Sequence, residues 1–216
     1  MLPPNLLLRS CEHYGPIVPP HHILCLRDAL RLFLDVQTTP PKKYNPKEEV
    51  QISGDTYIDR FEYPNRAGEL PKSVVSWSQA QDLCTKAGKR LCESHEWELA
   101  CGSGALFPYG DSFVPHACSI QGDAIQPSGK FFGCISPSTA MDMVGNVWEW
   151  TSDTFGPFAE FQPDDYKEYS EPLFGSTKVL RGGAWTTRSR YVTGNYRNYF
   201  QPDRRDVLAG FRTCAL

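Results

Sequence analysis

The 216-residue sequence predicts an α+β domain of low regular content, set behind a short N-terminal extension. Three observations predict it. Two helical segments lie close together in the middle of the chain, each with its own start signal. Beyond Cys101 the chain breaks into short strands separated by many Gly, Pro, Asp and Ser residues, with little periodicity. A Pro- and Lys-containing linker, Thr38-Thr-Pro-Pro-Lys-Lys43, divides residues 1–45 from residues 46–216.

In chain order, residues 1–22 are rich in Pro and His and predict irregular structure. Ile23–Val36 predicts one amphipathic helix, with Leu26, Leu30, Phe33 and Leu34 on one face. Ser76-Trp-Ser-Gln79 is a capping box, in which Ser76 accepts from the third helical amide while Gln79 reaches back. It starts a helix that runs through Ala87, with Gly88 as the left-handed residue that ends it. A second helix is expected from a Ser94 cap to about Cys101.

Composition narrows the function classes. A formal net charge of −3 and the lack of a basic stripe argue against a nucleic-acid partner. No run of eighteen apolar residues exists, so no membrane span is expected. The start is a poor signal peptide, which points to the cytoplasm. The eight cysteines have long, irregular spacings and no C-x-x-C, arguing against a zinc ribbon and leaving buried free thiols as the simplest expectation. No Ser/His/Asp constellation or phosphate loop is present.

Charge is nevertheless uneven: Arg181, Arg188, Arg190, Arg197, Arg204, Arg205 and Arg212 crowd the C-terminal segment, and Asp153, Glu160, Asp164, Asp165, Glu168 and Glu171 precede it. Such arginines either hold an anionic ligand through forked hydrogen bonds, or pair with those acids and stack on tyrosines. Composition leaves both open.

The segments Met143-Val-Gly-Asn-Val-Trp-Glu-Trp150, Val179-Leu-Arg-Gly-Gly-Ala-Trp185 and Gly210-Phe-Arg212 together resemble the formylglycine-generating enzyme (sulfatase-modifying factor) family. The resemblance begins near Asp55 and implies a C-type-lectin-like fold with two helices, short antiparallel strands and extensive loops, Tyr57–Asn65 matching its opening strand. It also implies a disulfide from Cys84 to Cys214 in an oxidising compartment.

Asp142 and Glu149 stand seven residues apart around a Gly-Asn turn able to aim main-chain carbonyls inward, a hard-oxygen set of the kind calcium takes. The alternative is that both carboxylates satisfy loop amides. The resemblance implies Ca²⁺ held by Asp142 and Glu149 side chains and by main-chain oxygens of Gly145 and Val147, stiffening the loops rather than performing chemistry.

In the resembled enzyme two cysteines five residues apart, after a Gly-Gly-Ser motif, bind copper. Here those positions are Thr187 and Val192, the serine is Ala184, and no cysteine lies between residues 135 and 213. Soft thiolates suit Cu(I) and these residues do not replace them, so no copper and no formylglycine chemistry are expected.

The stretch Gly194–Arg212 also resembles the C-terminal domain of ergothioneine sulfoxide synthases, with Arg204 matching a retained substrate arginine and Tyr199-Phe200 replacing a Trp-Asp pair. Those enzymes place iron in a separate domain with an H-x-x-x-H-x-E signature that this sequence lacks. Iron is therefore expected only from a partner protein. A third resemblance is to the diversified receptor proteins of phage and bacteria, whose variable residues correspond to Thr186–Thr193. The leading expectation is a calcium-stabilised domain that binds a peptide, or a small anionic or thiol ligand, through Trp185, Arg188, Arg190, Tyr191, Tyr196, Arg197, Tyr199 and Arg204. The alternatives are a thiol-acting oxidoreductase subunit and a diversified receptor.

Overall fold

The computed structural model describes residues 47–157 and 175–215. The amphipathic helix and linker expected before residue 46 lie outside them, as does most of the acidic stretch. Strands β1 (Glu49–Ser53), β2 (Thr56–Asp59), β3 (Arg90–Leu91) and β8 (Thr213–Cys214) form one four-stranded sheet in the order β1-β2-β8-β3. Strands β4 (Trp148–Thr154), β5 (Lys178–Arg181), β6 (Asn198–Phe200) and β7 (Ala209–Gly210) form the other, ordered β6-β5-β4-β7. Helices α1 (Trp77–Lys86) and α2 (Ser94–Gly102) flank β3 in sequence. The fold is the expected mixed one of two helices and short strands. One strand pair departs from the antiparallel expectation, because β4 and β7 run parallel, with Trp148 opposite Ala209.

Helix α1 starts at the expected capping box: the Ser76 hydroxyl accepts from Gln79 N, and Gln79 Oε1 accepts from Ser76 N. It ends at Ala87, and Gly88 takes the left-handed φ of +67° that a β-carbon would oppose. Helix α2 differs in its cap. Ser94 is its first residue, and Glu93 is the cap, its amide donating to Glu96 Oε2 at 2.8 Å. The Ser94 amide is satisfied instead by Asp153 Oδ2 at 2.6 Å, from the far end of β4. The opening strand is shorter than expected: β2 stops at Asp59, and the chain to Asn65 turns, with Asn65 at φ +64°.

Two apolar clusters lie beneath these elements. One gathers Ile58, Cys92, Trp97, Cys101, Met143, Val144, Val192 and Cys214. The other gathers Val75, Cys84, Leu91, Trp148, Trp150, Leu180 and Phe211. This division decides the cysteine chemistry. Cys214 pairs with Cys92, and Cys118 with Cys134, while Cys84 and Cys101 are buried thiols. The Cys84–Cys214 bridge implied by resemblance is therefore corrected. Pairing of Leu91 with Thr213 brings the following Cys92 to a Cα–Cα distance of 4.9 Å from Cys214, whereas Cys84 faces the other cluster. Among the described residues no helix is long and apolar enough to cross a membrane.

Candidate functional site

The loop before β4 is built around two left-handed residues, Gly145 (φ +82°) and Asn146 (φ +57°). A β-carbon at Gly145 would lie 2.3 Å from Ser119 O, so only glycine fits. This turn buries Asn146, whose amide group bridges two segments: Nδ2 donates to the Glu62 carboxylate at 3.0 and 3.1 Å, and Oδ1 accepts from Gln126 N at 2.9 Å. Glu62 also accepts from Ser128 Oγ at 2.6 Å.

Asp142 and Glu149 border the same buried region. Asp142 Oδ2 accepts from Gly129 N at 2.6 Å. Glu149 accepts Trp97 Nε1 and Arg212 Nε on one oxygen and Arg212 Nη2 on the other, each at 2.7 Å. Glu149 alone binds the Arg212 guanidinium, whose charge also acts on Glu62 and Asp142. Burial, then the charges of Asp142 and Glu149, push the Glu62 carboxyl well above its ordinary range. Burial likewise pushes Asp142 up to about 6, against the Gly129 amide and Arg212, which favour its charged form.

Hard-oxygen donors with surplus negative charge fit a divalent cation chemically. Asp142 has one oxygen not engaged by Gly129, but both oxygens of Glu149 already accept protein hydrogen bonds, so Glu149 is the least available member of the expected set. Among the described residues no three His, Cys, Asp or Glu side chains converge as metal ligands. A cation here would therefore rely on main-chain oxygens such as those of Gly145 and Val147. Sequence reasoning missed Glu62, Asn146, Trp97 and Arg212 as members of this network. The available signal was a lone acid, Glu62, set between Phe61 and Tyr63.

The positions matching the copper cysteines are filled by ordinary packing. Val192 is fully buried, and a β-carbon on Gly183 would lie 2.3 Å from its Cγ1. Thr187 Oγ1 accepts from Ala184 N at 2.9 Å, closing the turn after Gly182-Gly183.

The eight residues of the expected binding surface fall into several groups. Arg190 lies over the Tyr191 ring at 4.6 Å, Tyr191 packs on Tyr196 at 5.4 Å, and Tyr196 on Trp148 at 6.1 Å. Tyr191 is 37% exposed, so this ladder leads from solvent to core. Arg197 and Tyr199 share Phe155, at 5.3 and 4.6 Å. Arg204 stacks on Phe200 at 3.9 Å and binds Asp206. Since Tyr199 and Phe200 alternate along β6, these two groups occupy opposite faces. Arg188 is exposed at the start of the 3-10 turn Ser189–Tyr191. Trp185 is half-buried, and its indole N–H has no hydrogen-bond partner among the described residues. Within the described residues Arg181 pairs with Glu98 and Arg212 with Glu149.

Residues 41–215 match the model of the sulfatase-modifying factor enzyme 1-like domain. The hercynine oxygenase of Mycolicibacterium thermoresistibile is 35% identical over 156 residues, covering 66% of this chain and 35% of that protein. The inactive C-alpha-formylglycine-generating enzyme 2 of Mus musculus is 30% identical over 175 residues, covering 68% and 49% respectively. Formylglycine-generating enzyme of the same species is 32% identical over 174 residues, covering 67% and 44%. The chain thus spans between about a third and a half of the length of these relatives. Among solved structures, Treponema denticola variable protein 1 superposes with a TM-score of 0.61 at 18% identity, covering 78% of this chain and 91% of that one. PvdO from Pseudomonas aeruginosa gives 0.54 at 20%, covering 86% and 75%. At such identities these two structures share the fold alone. By the match over residues 41–215, the chain belongs to the sulfatase-modifying factor enzyme 1-like family.

Proposed function

We propose that this chain is a non-catalytic binding domain of its family, stiffened by calcium, which presents its C-terminal surface to a peptide or small anionic ligand. The observation that carries the reading is the filling of the copper positions, with Val192 buried against Gly183 and Thr187 engaged by Ala184 N. Neither side chain supplies the soft donor that Cu(I) needs. The Arg190–Tyr191–Tyr196 ladder offers aromatic area and donors suited to such a ligand, beside Trp185, whose buried indole N–H has no hydrogen-bond partner among the described residues. Arg188 would border it; Arg197 with Tyr199, and Arg204, stand on opposite faces of β6 and would not both reach the same ligand. Calcium would be held by Asp142 and by main-chain oxygens of Gly145 and Val147, with Glu149 the weakest contributor.

Metal content of the purified chain by mass spectrometry, with a thermal melt before and after chelation, tests this. About one equivalent of calcium and a Tm lowered by chelator are expected. The double variant Thr187→Cys/Val192→Cys should gain Cu(I) affinity that the natural chain lacks. Stoichiometric copper in the natural chain would overturn the reading.

A second reading has its own support. Three hercynine oxygenases match at 34–36% identity, somewhat above the formylglycine-generating enzymes at 32%. On this reading the chain is the thiol-binding portion of an oxidoreductase whose iron comes from a partner protein. Co-purification with an iron-binding partner, and thiol-dependent oxygen uptake by the pair alone, would favour it.

A further inference from the structure

One wall of the domain, between α1 and the two loops 70–75 and 202–207, encloses a groove of about 440 Å³. Lys72, Lys86 and Arg205 line it with a single acid, Asp82, over apolar surface from Val75 and Leu83. Most other cations packed into this fold are engaged: Lys89 by Glu49 and Asp59, Arg90 by Glu96, Arg181 by Glu98, and Arg212 by Glu149. Among the described residues, Lys72, Lys86 and Arg205 have no such partner, so the groove carries about two uncompensated positive charges.

The wall is also anchored on several sides. Lys72 N donates to Tyr63 O at 2.8 Å, Val74 N to Asp206 O at 3.0 Å, and Trp150 Nε1 to Val75 O at 3.0 Å. The main chain of Lys72 presses so closely on β7 that a β-carbon at Gly210 would lie 2.8 Å from Lys72 O. Between these anchors Val74 is held at φ +58°, a left-handed conformation that β-branched residues avoid, with its side chain on the rim and 52% exposed. Backbone strain of this kind persists where surrounding contacts over-determine it, and it concentrates at ligand clamps.

We propose that this groove binds a small anion bearing two or three negative charges and a short apolar arm, either a polycarboxylate or a phosphate ester. The three cations would meet the charges, and Val74, Val75 and Leu83 the apolar arm. None of these residues belongs to the Arg190–Tyr191–Tyr196 ladder, so this inference stands or falls independently of the function proposed above.

Isothermal titration of the full chain with citrate and, separately, with inorganic pyrophosphate at low salt tests it. Saturable binding of citrate alone assigns carboxylates as the charged groups; of pyrophosphate alone, phosphate; of both, the shared polyanion chemistry. Lys72→Gln/Arg205→Gln should weaken binding at least about tenfold, a loss of about 1.4 kcal/mol, because two charge-assisted hydrogen bonds are removed. Lys130→Gln, at an exposed lysine outside both surfaces, should bind as the natural chain does. The substitutions are on the surface, so a Tm within about 2 °C of the natural chain shows that lost binding is not lost fold. Three results overturn the proposal: no saturable binding of either anion, undiminished binding by the double variant, or equal loss in Lys130→Gln. Binding of a ten-residue polyglutamate peptide in place of both small anions overturns it in favour of a protein partner.

Discussion

Arg212 grips Glu149 with two nitrogens, each at 2.7 Å, and both side chains are 1% exposed. The pair joins the Gly-Phe-Arg segment to β4, and Trp97 ties α2 to the same carboxylate. Removing one partner of such a pair leaves a bare buried charge, a loss of about 3–5 kcal/mol. Here the loss is compounded, because Glu62 and Asp142 lean on the same guanidinium. Arg212→Met should therefore lower unfolding free energy by at least about 3 kcal/mol in urea titrations. Arg212→Met/Glu149→Leu should recover part of that loss. A single variant within 1 kcal/mol of the natural chain would show that the pair is structurally idle.

The cysteine pairing makes a second prediction. Cys92 and Cys214 are 122 residues apart, Cys118 and Cys134 only 16. Closing a loop of about 100 residues is worth about 4.7 kcal/mol in the chain-entropy account, against about 3 kcal/mol for a 15-residue loop. Cys214→Ser should thus lower Tm more than Cys118→Ser in the oxidised protein. Burial pushes the Cys84 and Cys101 thiols up to about 12, so iodoacetamide at pH 8 should leave both unmodified until denaturant is added. Peptide mapping that recovers a Cys84–Cys214 linkage would contradict the pairing.

These elements show what was legible in the sequence. The Ser76–Gln79 box and Gly88 were readable because their partners lie within a few residues, where spacing alone determines geometry. The α2 cap was misplaced because Asp153, 59 residues later, supplies the acceptor for the Ser94 amide. Asp142 and Glu149 were visible as a spaced pair. Their neighbour Glu62 was not, since it meets Asn146 across 84 residues. Choosing Cys92 over Cys84 required the β3–β8 pairing, which no local pattern encodes.

Glu96 provides a pH test. Burial opposes its ionisation, but Arg90, at 2.6 and 2.7 Å, and the Glu93 amide outweigh this and hold its carboxyl below the usual range. A lowered folded value means stability that is present above the unfolded value of about 4.3 and lost as pH falls through the folded one. Arg90 is partly exposed, so screening limits the pair to about 1 kcal/mol. Glu96→Gln should cost about that much at pH 7 and nothing once the natural carboxyl is protonated near pH 2. A constant cost between pH 7 and pH 2 would assign Glu96 a packing role instead.

Gly183 tests most directly how the position of Val192, which the resemblance matches to a copper cysteine, is closed. Its φ is +86°, and an added β-carbon would overlap Val192 Cγ1 at 2.3 Å. Gly183→Ala meets two penalties, about 1–2 kcal/mol for a left-handed non-glycine residue and about 1–3 kcal/mol for overpacking a filled core. Val192→Ala alone should be destabilising too, because it empties a fully buried site. In Gly183→Ala/Val192→Ala the new methyl group occupies space that the lost side chain vacates. The double variant should therefore be less destabilised than the two single losses summed, by about 1–2 kcal/mol in a double-mutant cycle read from urea midpoints. Strict additivity would mean that the two residues do not meet, and that something other than Val192 closes this position.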